Sequence, residues 1–349
     1  MFRLGFAAIL SILAHISTAP AQNRADIPVP DGTDLSRIAA SMKVGEWRQV
    51  ATSNINATLS AQGSSGTVFG FTDNIKWDPS SRRLFYVGGD HGDKTWFVVY
   101  DERTNSWRRV SERKWGHGYD HNALDPVGGA FFYLPVNSPV VERYDIQTAI
   151  WSSLPSLKNQ VEYINCCVGI EYFPELRGLV YVARENKGTV LLWEQRSNLW
   201  RRLGDGFPIG KYHNFAEYNP VHRMMLFGGG NPPHSKTIHR IDRTGEITRL
   251  GDAPVPLGIQ QSIVTVDPVS GEFLVFTNRS EFYAYDVTAD RWRRIETSIP
   301  MWSYYKNPIH GVVATPISNY GVNLFVTCKK PRSCFVYLYR HSEPKKSAN

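Results

Sequence analysis

Two segments of the sequence combine a tyrosine, a histidine and an asparagine within a few residues. They are Tyr119-Asp120-His121-Asn122 and Tyr212-His213-Asn214. An imidazole has an ordinary pKa near ~6.5, so a small change in its surroundings makes it a base or an acid at neutral pH. Tyrosine can donate its phenolic proton, and an asparagine amide can hold an oxygen-rich ligand. We therefore predict that His121, Tyr212 and His213 carry out proton transfer.

A second set of polar side chains is predicted to hold the ligand. It comprises Tyr119, Asn122, Asn214, Arg184, His310 and His91. The chain has 39 Lys and Arg against 32 Asp and Glu residues, and the net charge of +7 favours an acidic ligand. β-Elimination of a uronate-containing polysaccharide fits these groups. The reaction needs a partner for the carboxylate, a base for the neighbouring proton and an acid for the leaving oxygen.

Two other functions fit the same residues. The first is a non-catalytic module that binds a glycan or a protein. The second is a metal-dependent hydrolase in which His121, His213 and His310 hold zinc. Calcium would require more carboxylates than Asp73 and Asp120 supply. We predict no cofactor, with zinc or calcium as the alternatives. No long block of like charges is present, so we expect no nucleic-acid partner.

The first 21 residues have the pattern of a secretory signal. Arg3 precedes an apolar run, and small residues follow as far as Ala21. The run is shorter than the ~20 apolar residues that cross a bilayer, and no later stretch is long enough. We therefore expect residues 1–21 to be removed, and the mature protein to be secreted or periplasmic without a membrane span.

The four cysteines allow one clear pairing. Cys328 and Cys334 flank a short loop that contains Pro331, so they can face each other across a hairpin. Because exported thiols tend to pair, we predict a disulfide between them. Cys166 and Cys167 are adjacent, and they are either bonded in a strained small ring or two buried thiols.

The elements that must position these side chains follow from an internal repeat. Prolines recur at intervals of about 47 residues. They are Pro79, Pro126, Pro174, Pro220, Pro268 and Pro316. An Asp or Asn precedes four of them, and such pairs open tight turns because the side chain can bond back to the backbone. Each turn is followed by an apolar run such as Leu84–Val87, which predicts six strand–turn–strand units.

A second repeated phrase begins with an aromatic residue and ends in tryptophan. Its clearest copies are Tyr100–Trp107, Tyr144–Trp151, Trp193–Trp200 and Tyr285–Trp292. Together with the pairs Gly88-Gly89 and Gly228-Gly229, the repeat resembles the Kelch repeat and the central domain of galactose oxidase. The resemblance implies a β-propeller with one four-stranded blade per repeat. It does not extend to a copper site, because Cys166 and Cys167 near Tyr163 do not reproduce that family's Tyr–Cys link.

We therefore predict an all-β fold, a six-bladed Kelch-like β-propeller over residues 44–341. The sixth unit lacks its tryptophan phrase, and the segment around Trp47 resembles the missing piece. That segment is predicted to complete the last blade as its outer strand, because ring closure removes exposed strand edges. Residues 22–43 form an N-terminal segment with a short helix at Asp34–Met42, capped by Ser36 or Asp34. Residues 342–349 form a C-terminal tail.

This architecture predicts where the candidate residues meet. In a propeller the first strands line a central channel, and the starts of these strands share one face with the loops that join second to third strands. Function concentrates on loops that such a scaffold holds. We therefore expect His91, His121, His213 and His310 to lie at one mouth of the channel. Tyr119–Asn122 and Tyr212–Asn214 are expected at equivalent starts of the first strands of blades two and four.

Overall fold

The part of the chain that the structure describes folds into six sheets of four antiparallel strands each. The structure is a computed structural model that describes residues 32–63, 66–70, 72, 74–91, 94–113, 121–161, 168–183, 188–301, 311–329 and 333–343. The described chain opens with helix α1 (Asp34–Ser41), strand β1 (Trp47–Val50) and helix α2 (Ile55–Leu59). The remaining strands follow in blocks that form one blade each.

The strands are short and regularly spaced, as in other propellers. Blade one contains β2 (Lys76–Asp78), β3 (Arg83–Gly88), β4 (Thr95–Asp101) and β5 (Ser106–Arg113). Blade two contains β6 (His121–Asp125), β7 (Ala130–Leu134), β8 (Glu142–Asp145) and β9 (Ile150–Ser153). Blade three contains β10 (Gly169–Phe173), β11 (Gly178–Ala183), β12 (Thr189–Glu194) and β13 (Leu199–Gly204). Blade four contains β14 (Phe215–Asn219), β15 (Met224–Gly228), β16 (Ile238–Ile241) and β17 (Ile247–Arg249). Blade five contains β18 (Ser262–Val266), β19 (Phe273–Thr277), β20 (Phe282–Asp286) and β21 (Arg291–Arg294). Blade six contains β22 (Val312–Ile317), β23 (Val322–Lys329) and β24 (Ser333–Tyr339), and its fourth strand is β1.

The first strands of the six blades form a closed ring. β2 contacts β6, β6 contacts β10, and the series continues through β14, β18 and β22 back to β2. Most of these strands are buried along their whole length, because both faces of each blade pack against neighbouring blades. The six-bladed propeller predicted from the repeat is confirmed.

Blade six is completed by the N-terminal strand, as predicted. β1 pairs with β24 in antiparallel register, with Trp47 opposite Tyr339. The Trp47 ring lies 4.5 Å from the ring of Tyr339 and 5.1 Å from that of Phe325. It also contacts Phe282 of blade five at 5.8 Å, so β1 ties the last blade to its neighbour.

The repeated aromatic phrase forms the outer hairpin of a blade. In blade one, Tyr100 of β4 stands opposite Trp107 of β5, with ring centroids 5.1 Å apart. The outer hairpins of blades two and five contain the same tyrosine–tryptophan pair on opposite strands. Contacts also cross between blades, since Trp151 lies 5.2 Å from Phe97 of blade one. The fixed spacing in the sequence thus reflects cross-strand pairing together with packing between blades.

Five of the six repeat prolines lie where a turn begins, and one does not. Asp78 and Asp125 accept hydrogen bonds from the backbone amides just after their prolines, which closes these turns. Pro316 is different, because it lies within β22 and the turn of blade six begins at Ser318. The sixth proline therefore marks the strand and not the turn, and this part of the sequence interpretation was wrong.

Two further predictions concern the edges of the propeller. Helix α1 ends at Ser41, and its cap is Thr33, whose Oγ1 accepts from the Ser36 amide at 3.1 Å. The cap predicted at Ser36 or Asp34 was wrong, because the helix begins one residue after a threonine that can fill this position. The disulfide between Cys328 and Cys334 is confirmed and joins β23 to β24. Cys166 and Cys167 lie outside the described residues.

Candidate functional site

The candidate residues that the structure describes lie at the predicted face of the ring. His121 is the first residue of β6, and Tyr212 and His213 lie just before β14. His91 follows β3 in the loop that joins it to β4. Three predicted ligand residues, Tyr119, Arg184 and His310, lie outside the described residues.

His213 is held by a hydrogen bond from the neighbouring loop of its own blade. Its Nδ1 lies 3.0 Å from Oδ1 of Asn231, which follows β15. A carbonyl oxygen can only accept, so Nδ1 carries the proton and the lone pair of the neutral ring is on Nε2. Burial lowers the pKa of His213, and the Asn231 bond works in the opposite direction. His213 is therefore a neutral imidazole of fixed tautomer at neutral pH, which suits a general base.

The backbone that carries His213 adopts an uncommon conformation. Tyr212 has φ +56° and His213 has φ +60°. These values lie in the left-handed region, which residues other than glycine rarely adopt. Three backbone hydrogen bonds hold this segment: Asn231 N donates to Lys211 O at 3.1 Å and to Tyr212 O at 3.3 Å, and Ile259 N donates to His213 O at 3.1 Å. Backbone strain of this kind persists only where the surroundings impose it, and it clusters at functional sites.

Gly258 is required for that support. Its φ is +101°, and a Cβ at this position would lie 1.9 Å from the carbonyl oxygen of His213. The residue thus allows blade five to approach the His213 segment closely. The strained segment is held from two sides, by the β15–β16 loop and by the start of blade five.

His121 is buried deeper in the same channel. It is 4 % exposed, and its Nε2 has no hydrogen-bond partner among the described residues. Burial lowers the pKa of His121 to about 3, and the nearby His213 adds to this lowering through its charge. The structure thus brings His121 and His213 together, and it keeps the His121 imidazole neutral.

Two asparagines predicted as ligand residues are bonded to the backbone. Asn122 is fully buried, its Oδ1 accepting from Val87 N at 2.9 Å and its Nδ2 donating to Val87 O at 3.1 Å. Asn214 donates to the carbonyl oxygens of Gly210 and Gly229 at 3.0 and 2.9 Å. These bonds give both residues a positioning role, Asn122 between blades one and two and Asn214 behind His213.

The sequence suggested that His121-Asn122 and His213-Asn214 occupy equivalent positions, and this was wrong. His121 lies inside β6, whereas His213 lies two residues before β14. The residue of blade four at the level of His121 is Phe215, the first residue of its strand. The two segments are therefore offset by two residues relative to the first strands of their blades.

Further cations and amides lie in the His213 segment and between blades four and five. The Lys211 Nζ lies 5.0 Å from the centre of the Tyr212 ring. Beyond Gly258, a cleft of about 240 Å³ lies between blades four and five. We call it the blade-five cleft; its lining includes Lys236, Gln261, Asn278, Arg279 and Glu281. Most of these residues lie in loops that join the second to the third strand of a blade or just before a first strand, and this position is the sequence feature that could have predicted them.

The described residues do not form a metal site. Within the described ranges, no group of three or more His, Cys, Asp or Glu side chains is placed to hold an ion. The predicted histidine triad includes His310, so it extends beyond the part of the chain that the structure describes. Nor does any helix in the described part have the length and apolar character needed to cross a membrane.

Comparison with known proteins supports the fold. No protein family model matches the chain, and no curated protein sequence matches it. A fungal alcohol oxidase of the AA5 family, solved in complex with copper, is similar with a TM-score of 0.53 and 10 % identity; the match covers 87 % of this chain and 79 % of that one. A chain of a nidogen/laminin complex is similar at a TM-score of 0.48 and 11 % identity, over 65 % and 80 %. At such identities the first likeness shows the propeller fold alone, and the second adds nothing to it.

Proposed function

We propose that this protein is an exported enzyme that binds an acidic, uronate-containing polysaccharide at the channel mouth and cleaves it by β-elimination. The observation that carries the proposal is His213, a neutral imidazole whose tautomer Asn231 fixes, next to the phenol of Tyr212. A base of fixed orientation beside a proton donor is the minimum equipment for this reaction.

The proposed step assigns one role to each group. Nε2 of His213 takes the proton from the carbon next to the uronate carboxylate, and the electron pair forms a carbon–carbon double bond. The bond to the glycosidic oxygen breaks, and that oxygen receives a proton from the Tyr212 hydroxyl. Lys211, together with Arg184, balances the carboxylate charge, which stabilises the carbanion-like transition state.

The blade-five cleft extends the site for a polymeric substrate. Lys236 and Arg279 supply positive charge, and Gln261 and Asn278 supply amide groups for hydroxyls. Convergent polar groups in a concave site are typical of ligand binding. The net charge of +7 favours an acidic chain over a neutral one. Export is proposed from the N-terminal apolar segment and agrees with the disulfide, since disulfides persist in oxidising compartments.

A non-catalytic glycan-binding module is the second candidate. The observation that favours it is burial, because His121 and His213 are only 4 % and 8 % exposed. In that case the two histidines would shape the channel mouth, and the cleft alone would hold the glycan. A metal-dependent hydrolase is the third candidate and depends on His310.

A screen of polysaccharides separates the first two candidates. We expect the protein to produce an unsaturated uronate, seen as new ultraviolet absorbance, from at least one polyuronate and from no neutral glucan. A polyuronate that binds without any such product would instead support the binding module. Metal analysis of the purified protein tests the third candidate, which requires zinc or calcium to copurify.

A further inference from the structure

The outer strand of blade two differs from the outer strands of the other five blades. Each of those five strands carries an exposed arginine: Arg48 of β1, Arg108 of β5, Arg201 of β13, Arg249 of β17 and Arg291 of β21. The outer strand of blade two is β9, with the sequence Ile-Trp-Ser-Ser, and it contains no charged residue. Charged side chains on an edge strand commonly prevent that strand from pairing with another chain. β9 lacks this protection.

The outer edge of β9 is also open. β9 is the last strand of its sheet, and among the described residues no strand or isolated bridge pairs with its outer side. Ile150, Ser152 and Ser153 are exposed, and the exposed fraction of Ile150 is 63 %. An apolar side chain and two hydroxyls lose their water at a much lower cost than arginines do. The edge is therefore suited to burial against another strand.

A tryptophan holds β9 in place. Trp151 stands opposite Tyr144 of β8, with ring centroids 5.0 Å apart, and its ring lies 5.2 Å from that of Phe97 in blade one. The Arg113 guanidinium lies 4.0 Å from the centre of the same ring. The strand is thus already formed, so pairing along its edge requires little further ordering of the chain.

We propose that β9 pairs with β9 of a second copy of this chain. The two strands run antiparallel about a two-fold axis, so that two blades form one continuous sheet of eight strands. A partner strand needs an open edge without charges, and β9 of another copy meets both conditions. Such a contact is self-complementary. β9 lies on the circumference of the propeller, so the contact leaves the channel mouth around His213 open and does not depend on the proposed polysaccharide chemistry.

Sedimentation equilibrium at several protein concentrations tests the proposal without any variant. A four-residue edge is short, so we expect a weak dimer with a Kd on the order of 10 µM. The net charge of +7 opposes association, and salt screens this repulsion. We therefore expect the dimer fraction to rise from low to high salt. A protein that stays monomeric far above this Kd at both salt concentrations overturns the proposal, and the open edge would then be left for a different polypeptide.

Two lysine substitutions and a matched control locate the contact. Ile150→Lys and Ser152→Lys change exposed side chains, and each should weaken association by about tenfold or more, because a lysine on an edge strand resists pairing. Leu199→Lys is the control, since Leu199 begins the outer strand of blade three at the equivalent position and is also 63 % exposed. It should leave the Kd unchanged, because Arg201 and Arg202 already protect that strand. A dimer that neither β9 variant weakens, or that Leu199→Lys weakens equally, overturns the proposal.

Discussion

Burial and the hydrogen bond to Asn231 shift the pKa of His213 in opposite directions. Burial removes water that would stabilise the imidazolium, and this lowers the pKa of His213. The bond to Asn231 favours the protonated form and orients the ring. Because burial prevails, the neutral base is present at neutral pH and is lost only as the pH falls below the ordinary value of 6.5.

Asn231→Asp should change this balance. A carboxylate bonded to Nδ1 favours the imidazolium, so we expect the pKa of His213 to rise by about one unit or more. Titration of the ring protons by NMR measures the shift directly. The acidic limb of the pH–rate profile should move to higher pH by the same amount. Asn278→Asp adds the same charge in the blade-five cleft without a bond to His213, and it should move neither. An unchanged His213 pKa in Asn231→Asp would contradict the assigned contact.

His121 should make stability depend on pH. The unfolded chain binds a proton at His121 near pH 6.5, whereas the folded protein does so only near pH 3. Between these pH values proton binding favours the unfolded state. As the pH decreases, His121 therefore lowers the free energy of unfolding by up to ~1.4 kcal/mol per pH unit. Urea denaturation at several pH values should therefore give a shallower decline for His121→Gln. His234→Gln alters an exposed loop histidine and is the control. Identical slopes for His121→Gln and the unaltered protein would show that His121 does not titrate this way.

At the scale of strands and loops, the sequence predicted more of the blades than of the site. The Asp125-Pro126 turn signal reflects local backbone geometry, and the Tyr100–Trp107 phrase reflects direct cross-strand pairing. Both are contacts between residues close in the sequence, so the sequence alone predicts them. The level of His213 relative to β14 has no such local signal. It depends on Gly258 and Asn231, which approach from blade five and from the next loop. The bonds of Asn122 to Val87 are likewise contacts between blades that spacing alone does not reveal.

Gly258→Ala should release the strained segment. The new Cβ would lie 1.9 Å from His213 O at a φ of +101°, so either blade five or the His213 turn must move. We expect a loss of about 2–3 kcal/mol in the free energy of unfolding. Gly206→Ala is the matched control, because its φ is +82° but nothing lies within 4 Å of its Cβ position. Thermal denaturation of both variants separates the clash from the cost of the backbone angle alone. Equal losses in the two variants would show that the close approach is unimportant.

At the scale of the whole molecule, β1 closes the ring. Removal of residues 44–52 would expose the outer edge of β24 and the aromatic cluster around Trp47. Open strand edges recruit other strands, so we expect a lower melting temperature and self-association. Denaturation and sedimentation analysis measure the two effects. Gln49→Ala changes an exposed side chain of the same strand and should have neither effect. A truncated monomer that melts at the original temperature would refute closure by β1.

The central claim, that His213 is the base of a polyuronate-cleaving site, is tested most directly by measuring turnover and binding on one variant. For His213→Ala we expect turnover to fall by about 10²–10⁴-fold. Affinity for the same polyuronate should stay within a few fold, because Lys236 and Arg279 remain in the cleft. His222→Ala, in the turn that follows β14 at the opposite face, should match the unaltered protein in both measurements. A folded His213→Ala protein that retains full turnover would contradict the account.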